Sequence, residues 1–157
     1  LAALAEHHFK AIQFLVPKLL GKTNEWDLAL GIQPLRLMDA PQIREWLAAG
    51  HAIGSHTLTH PYLARLPKNQ AREEIIASKK WLEDAFGLPV DHFCYPYGDC
   101  NESVRQWVIE AGYRTACTIR FGVNTANDDP FALHRIKGRH PTRKLRSLLR
   151  WLNPHIS

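Results

Sequence analysis

Gly50-His51-Ala52-Ile53-Gly54-Ser55-His56-Thr57-Leu58-Thr59-His60-Pro61 is the stretch around which the rest of the chain falls into place. Gly50 marks the end of a helix, a short apolar run follows, and two imidazoles four residues apart sit in a turn closed by Pro61. Neutral imidazole is the commonest protein metal ligand, and His56 and His60 are close enough in sequence to point at one ion. The same spacing also suits a capping His with a second His packed on Tyr62, but a position just after a strand favours the ligand pair. A zinc metalloprotease helix is excluded, because its Glu general base would directly follow the first His and Thr57 stands there. A catalytic zinc uses about three protein ligands, so the pair is half of a site.

Helix and strand patterns alternate on both sides of this stretch. Residues 2–9 read as a helix, and Ala11 to Val16 as a short apolar strand stopped by Pro17. Residues 21–31 read as a loop. Asp39 and Pro41 start a helix whose face carries Ile43, Trp46 and Leu47. Ala71 to Phe86 forms a second amphipathic helix with Ile75, Leu82 and Phe86 on one stripe, ended by Gly87. Val90 to Tyr97 is a strand entering the turn Pro96-Tyr97-Gly98. Asn101 caps a helix that buries Val104, Trp107, Val108 and Ala111, and Tyr113 to Ile119 is the next strand. This alternation predicts parallel βαβ units with the site at the carboxyl ends of strands.

The 157 residues, 45% hydrophobic and 22% charged, suit one globular α/β domain. No apolar run approaches the roughly 18–20 residues that span a bilayer. Leu1 to His8 shows no initiator Met, basic leader or signal peptide, reads as a helix interior, and suggests a start partway through a domain. Compartment is left open. Cys94, Cys100 and Cys117 are odd in number and lack C-x-x-C spacing, which supports neither a disulfide framework nor a zinc ribbon. The net charge of +5 is concentrated late: seven Lys/Arg and no acid follow Pro130, while the first 129 residues carry 13 basic and 15 acidic groups. A nucleic-acid protein would spread its basic face over the domain.

Phe93-Cys94-Tyr95-Pro96-Tyr97-Gly98 is the second chemistry-bearing stretch. It reads either as a buried strand entering an aromatic turn or as a tight turn that aims a backbone N–H at an oxyanion. With both stretches in this order, the chain resembles the polysaccharide deacetylases of carbohydrate esterase family four over most of residues 1–136. Supporting matches are the E-x-x-x-S-K-x-x-L-E helix at Glu74 to Glu83, A-G-Y at 111–113 and D-P-F-A-L-H-R-I at 129–136. The resemblance implies a distorted (β/α) barrel, N-terminally incomplete here. It also implies divalent-metal-dependent removal of N-acetyl groups from an amino-sugar polymer. By the same resemblance His56 and His60 are metal ligands beside an Asp, a second Asp is the general base, and the Tyr97 N–H helps hold the oxyanion. The metal is expected to be zinc, with cobalt, manganese or nickel as alternatives.

Three positions depart from the family pattern. The F-D-D motif that supplies both aspartates is absent, so no third protein ligand is found; Asp27, Asp91 and Asp99 have no motif to support them. Cys94 stands where many relatives carry an Arg that supports the base, a difference that marks a branch. The late L-x-H motif is not reproduced: Leu133 and His134 are adjacent and Arg135 occupies the His position. His134 is a candidate general acid against the plainer reading of a loop His at the cleft edge.

Residues 1–138 are therefore expected to form the deacetylase-like domain and 139–157 a basic amphipathic tail. There Leu145, Leu148, Leu149 and Leu152 form a stripe opposite Arg143, Lys144, Arg146 and Arg150. That tail would cover the barrel or lie on an anionic membrane or polymer. The expected partner is an amino-sugar polysaccharide or oligosaccharide rather than nucleic acid. An incomplete barrel would expose a strand edge that could pair with a second copy. The alternative function is a non-catalytic carbohydrate-binding relative that stacks sugar rings on Trp26, Tyr95 and Tyr97.

Overall fold

A computed structural model describes residues 1–136 and Gly138. Helices and strands alternate as α1 (Ala2–Glu6), β1 (Ile12–Leu15), α2 (Ala40–Ala48), β2 (Ala52–Ser55), α3 (Lys68–Phe86), β3 (His92–Cys94), α4 (Glu102–Glu110) and β4 (Thr115–Phe121), after which β5 (Leu133–Arg135) follows with no helix between. The strands form one parallel sheet in the order β1-β2-β3-β4-β5. Each strand lies beside its successor in sequence, so the winding never reverses as it does in a doubly wound sheet. The sheet is an arc of the expected (β/α) barrel, and among the described residues β1 and β5 are not paired with each other.

Local chemistry sets the element ends. The Asp39 carboxylate accepts from the Gln42 N–H at 3.1 Å while the Gln42 side chain accepts from the Asp39 N–H at 3.0 Å, a capping box that starts α2. Asn101 accepts from the Val104 N–H at 2.9 Å and starts α4. Helix α3 begins at Lys68, three residues before the apolar stripe does, with Pro67 at its N-cap. Ile43 of α2, Ile53 of β2, Ile75 and Leu82 of α3, Phe93 of β3 and Val108 of α4 share one buried core. Each such side chain contributes about 1.5–3 kcal/mol through burial.

Two features pack the end of β2 where the His stretch begins. A Cβ on Gly54 would fall 2.5 Å from the Phe14 ring and 2.9 Å from the His92 carbonyl oxygen, so β1, β2 and β3 close tightly only around a glycine. Ser55 and Ser78 share a buried hydroxyl–hydroxyl hydrogen bond of 2.7 Å, and the Tyr113 hydroxyl donates to the Ile75 carbonyl at 3.1 Å. This polar seam ties β2 to α3 immediately before His56.

The sequence reading missed β5, whose three residues carry no periodicity. It also set the last long strand two residues early, since β4 runs on to Phe121. The amphipathic-tail reading and the boundary at 138/139 concern residues outside those described. No helix among the described residues is long and apolar enough to cross a membrane.

Candidate active site

Residues 56–60 leave β2 in a turn that two non-glycine residues enter with left-handed backbone, Thr57 (φ 65) and His60 (φ 67). Such conformations persist only where the surroundings hold them. Here the Thr57 hydroxyl accepts from the His60 N–H at 3.0 Å. The Glu74 carboxylate of α3 accepts from the Leu58 N–H (2.8 Å), the Thr59 N–H (2.9 Å) and the Thr59 hydroxyl (2.7 Å). One carboxylate thus satisfies three donors, and the turn points both imidazoles inward.

The two rings meet with Nε2 atoms 3.2 Å apart and planes at 72°. His56 Nδ1 lies 2.5 Å from the Cys94 carbonyl oxygen. A carbonyl only accepts, so Nδ1 carries the proton and Nε2 presents its lone pair. His60 Nδ1 is buried with no hydrogen-bond partner among the described residues. Burial pushes both imidazoles down from 6.5 to about 4, with the Cys94 carbonyl opposing and His60 and Arg135 adding to the fall at His56. Both rings are therefore neutral at pH 7, the ligating form. Two ligands held at 2.0–2.1 Å by a tetrahedral ion lie about 3.3 Å apart, so the pair fits two positions of a metal site.

A third ligand is not among the described residues, which contain no cluster of three His, Cys, Asp or Glu able to hold a metal. Asp27 accepts from the Asn24 side chain at 2.5 Å, Asp91 pairs with Arg114 at 3.5 Å before the start of β3, and Asp99 accepts from the Ala64 N–H at 2.8 Å. None of these three joins the pair.

The Tyr95-Pro96-Tyr97-Gly98 turn follows β3 and lies beside the His stretch. Gly98 N–H donates to the Tyr95 carbonyl (3.0 Å) and Asp99 N–H to the Pro96 carbonyl (2.9 Å). Tyr97 takes a left-handed backbone (φ 58), and its N–H has no acceptor among the described residues. The Tyr97 ring abuts His60, centroids 4.7 Å apart at 68°. Burial and the nearby Tyr62 and Asp27 raise its phenol above the usual tyrosine range. Gly98 (φ 69) must be glycine twice over, because a Cβ there would lie 2.5 Å from Ile119 Cγ1.

Trp26 stacks on His60 at 4.0 Å and 17°. Tyr95, expected to stack on a sugar ring, is instead fully buried, and its hydroxyl donates to the Phe131 carbonyl at 2.9 Å. Consecutive strand residues face opposite ways, and Tyr95, next to Cys94, turns into the core. A cavity of about 330 Å³ beside β1 is lined by Phe14, Trp26, His56, Cys94 and Arg135, among others, and by no carboxylate. The Arg135 guanidinium reaches Cys94 Sγ at 3.7 Å from β5. An arginine thus stands at the cleft although position 94 is cysteine. His134, one residue earlier on the strand, packs on Gly122 and places its Nδ1 3.3 Å from Asn124 Oδ1. The structure brings His56, His60 and Tyr97 together, and His134 does not join them. Glu74 and Arg135 were not singled out from sequence. The cue for Glu74 was its place at the head of the E-x-x-x-S-K-x-x-L-E match.

A family model described as polysaccharide deacetylase matches residues 1–116. A Bacillus subtilis relative assigned by name to the polysaccharide deacetylases, YxkH, is 26% identical over 134 residues, 85% of this chain and 44% of the relative. A peptidoglycan-N-acetylglucosamine deacetylase of Bacillus cereus is 33% identical over 111 residues, 70% of this chain and 34% of that protein. The chain thus spans less than half the length of these two relatives. Among solved structures, the Streptococcus pyogenes deacetylase PplD in complex with acetate matches with a TM-score of 0.78 and 21% identity, covering 95% of this chain and 61% of PplD. That likeness bears on the fold.

Proposed function

We propose that this chain, which belongs to the polysaccharide deacetylase family, carries the imidazole pair and the oxyanion turn of a hydrolase that removes N-acetyl groups from an amino-sugar polysaccharide. The observation that carries the reading is the convergence of two neutral imidazoles, Nε2 to Nε2 at 3.2 Å, beside a turn whose Tyr97 N–H has no acceptor among the described residues. His56 and His60 would hold a divalent cation, most simply zinc. Such an ion supplies Lewis-acid polarisation of the amide carbonyl and a lowered pKa for water.

The protein's own part is positional. Glu74 fixes the turn, the Cys94 carbonyl fixes the His56 tautomer, and Trp26 covers the His60 ring. The Tyr97 N–H would donate to the oxygen on which charge develops as the acetamide carbonyl becomes tetrahedral, a contribution of about 2.7–4 kcal/mol for one such donor. With two of the roughly three protein ligands that a catalytic zinc uses, the described residues are expected to bind the ion weakly.

The test is acetate release from N-acetylglucosamine oligomers with added zinc or cobalt, comparing wild type with His56→Ala. Release that requires both His56 and metal supports the reading. Glycan binding without release, unchanged by a chelator, would instead support the carbohydrate-binding alternative, which the absence of a third ligand among the described residues favours.

A further inference from the structure

Tyr62 lies outside the turn that carries Tyr97, yet its ring covers the face of Tyr97, centroids 3.9 Å apart and planes at 8°. The Arg65 guanidinium lies over the Tyr62 ring at 4.1 Å. Two groups this close cannot share one face of a phenol ring, so Arg65 occupies the face opposite Tyr97. The order across the site is Arg65, Tyr62, Tyr97, then the ring of His60.

This arrangement follows from local structure. Leu63–Arg65 is one 3₁₀ turn, in which residues three apart align, and Tyr62 is its N-cap. Leu63 anchors the turn in the core, fully buried. Asp99, immediately after Gly98, accepts from the Ala64 N–H at 2.8 Å. The Tyr62 turn and the Tyr97 turn are therefore tied twice, by a backbone–carboxylate bond and by the ring stack.

A non-glycine residue at φ 58 relaxes unless neighbours hold it. Relaxation of φ at Tyr97 rotates the peptide plane that bears its N–H. Both faces of the Tyr62 ring are occupied, so that ring offers no platform for a sugar.

We propose that Tyr62, clamped by Arg65, is a positioning residue: it holds Tyr97 in the left-handed conformation and keeps the Tyr97 N–H, which has no acceptor among the described residues, in one orientation. The catalytic part of this inference rests on the deacetylase reading above; the structural part does not.

Two measurements on the same variants test it. In ¹⁵N NMR, the Tyr97 amide should be one sharp signal in wild type and Tyr62→Phe, and broadened or split in Tyr62→Ala. In acetate release from N-acetylglucosamine oligomers with zinc, Tyr62→Ala should lower kcat about tenfold with KM within about twofold, since loosening one oxyanion donor costs less than the 10²–10³ of removing it. Tyr62→Phe should restore kcat to within about twofold. If Tyr62→Ala does not fold, Arg65→Gln, which leaves both rings in place, should give the same signs with a kcat loss of about threefold. A sharp, unmoved Tyr97 amide in Tyr62→Ala or Arg65→Gln overturns the proposal, as does an unchanged kcat in an active protein. A wild type that releases no acetate sinks the deacetylase reading instead, and the amide signal still decides whether Tyr62 braces Tyr97.

Discussion

His56 donates its Nδ1 proton to the carbonyl of Cys94, so the imidazole that follows β2 takes its tautomer from the last residue of β3. The second imidazole then lies 3.2 Å away and is equally neutral. This has a thermodynamic signature. In the unfolded chain each ring titrates near 6.5, and in the folded protein near 4. Between these values the unfolded state binds more protons, so metal-free stability should fall as pH drops from 6.5 to 4. The limiting slope is about 1.4 kcal/mol per pH unit for each ring. Asp128 and Asp129, held below the usual carboxylate value, lose their contribution only below this window. Urea midpoints at pH 7, 5.5 and 4.5 in the presence of chelator measure the slope, and His56→Gln should reduce it by about half. An unchanged slope in that variant would disprove the assignment.

The same lowered values predict how metal binding depends on pH. A proton competes with the ion only near the folded-state pKa, so cobalt or zinc affinity should stay flat from pH 7 to about pH 5. An exposed His pair loses affinity below about 6.5. Isothermal titration at four pH values distinguishes the two cases. His60→Ala should abolish the pH-insensitive component, and chelator should reverse the accompanying rise in Tm.

Glu74 is expected to matter more than an exposed glutamate would. Its replacement by Ala strands the N–H groups of Leu58 and Thr59 and the Thr59 hydroxyl. An unsatisfied polar group costs about 1–3 kcal/mol, and partial solvent access should keep the total at about 2–4 kcal/mol in urea unfolding. Cobalt affinity should fall as well, because the turn that points His60 at His56 is released. A stable variant with unaltered affinity would show that the turn holds itself.

Gly98→Ala should cost about 1–2 kcal/mol for the left-handed backbone alone, plus the overlap with Ile119. The double variant with Ile119→Ala should recover only the overlap. Full recovery in thermal unfolding would mean that the backbone conformation carries no strain.

Much of this arrangement was legible in the chain. The alternation of strand and helix, the position of His56 just after a strand and the tight turn at Pro96-Tyr97-Gly98 all follow from periodicity and turn chemistry. What was not legible depends on contacts between distant residues. Leu133–Arg135 is a strand because β4 offers it a ladder, not because three residues show a pattern. Tyr95 and Tyr97 look alike in sequence, yet one hydroxyl is spent on Phe131 inside the core and the other ring borders His60. Arg135 reaches the cleft from the far edge of the sheet, a distance no local spacing encodes.

Strand β2 meets β3 through a single register pair, Ser55 opposite Phe93. His56 and Cys94 are each the next residue along, so their contact is a by-product of that one alignment. Sliding β3 by one position would exchange the faces of its residues, turning the fully buried Phe93 ring toward the cleft and removing the carbonyl that orients His56. A chain threaded that way would lose the burial of Phe93 and the His56 geometry together.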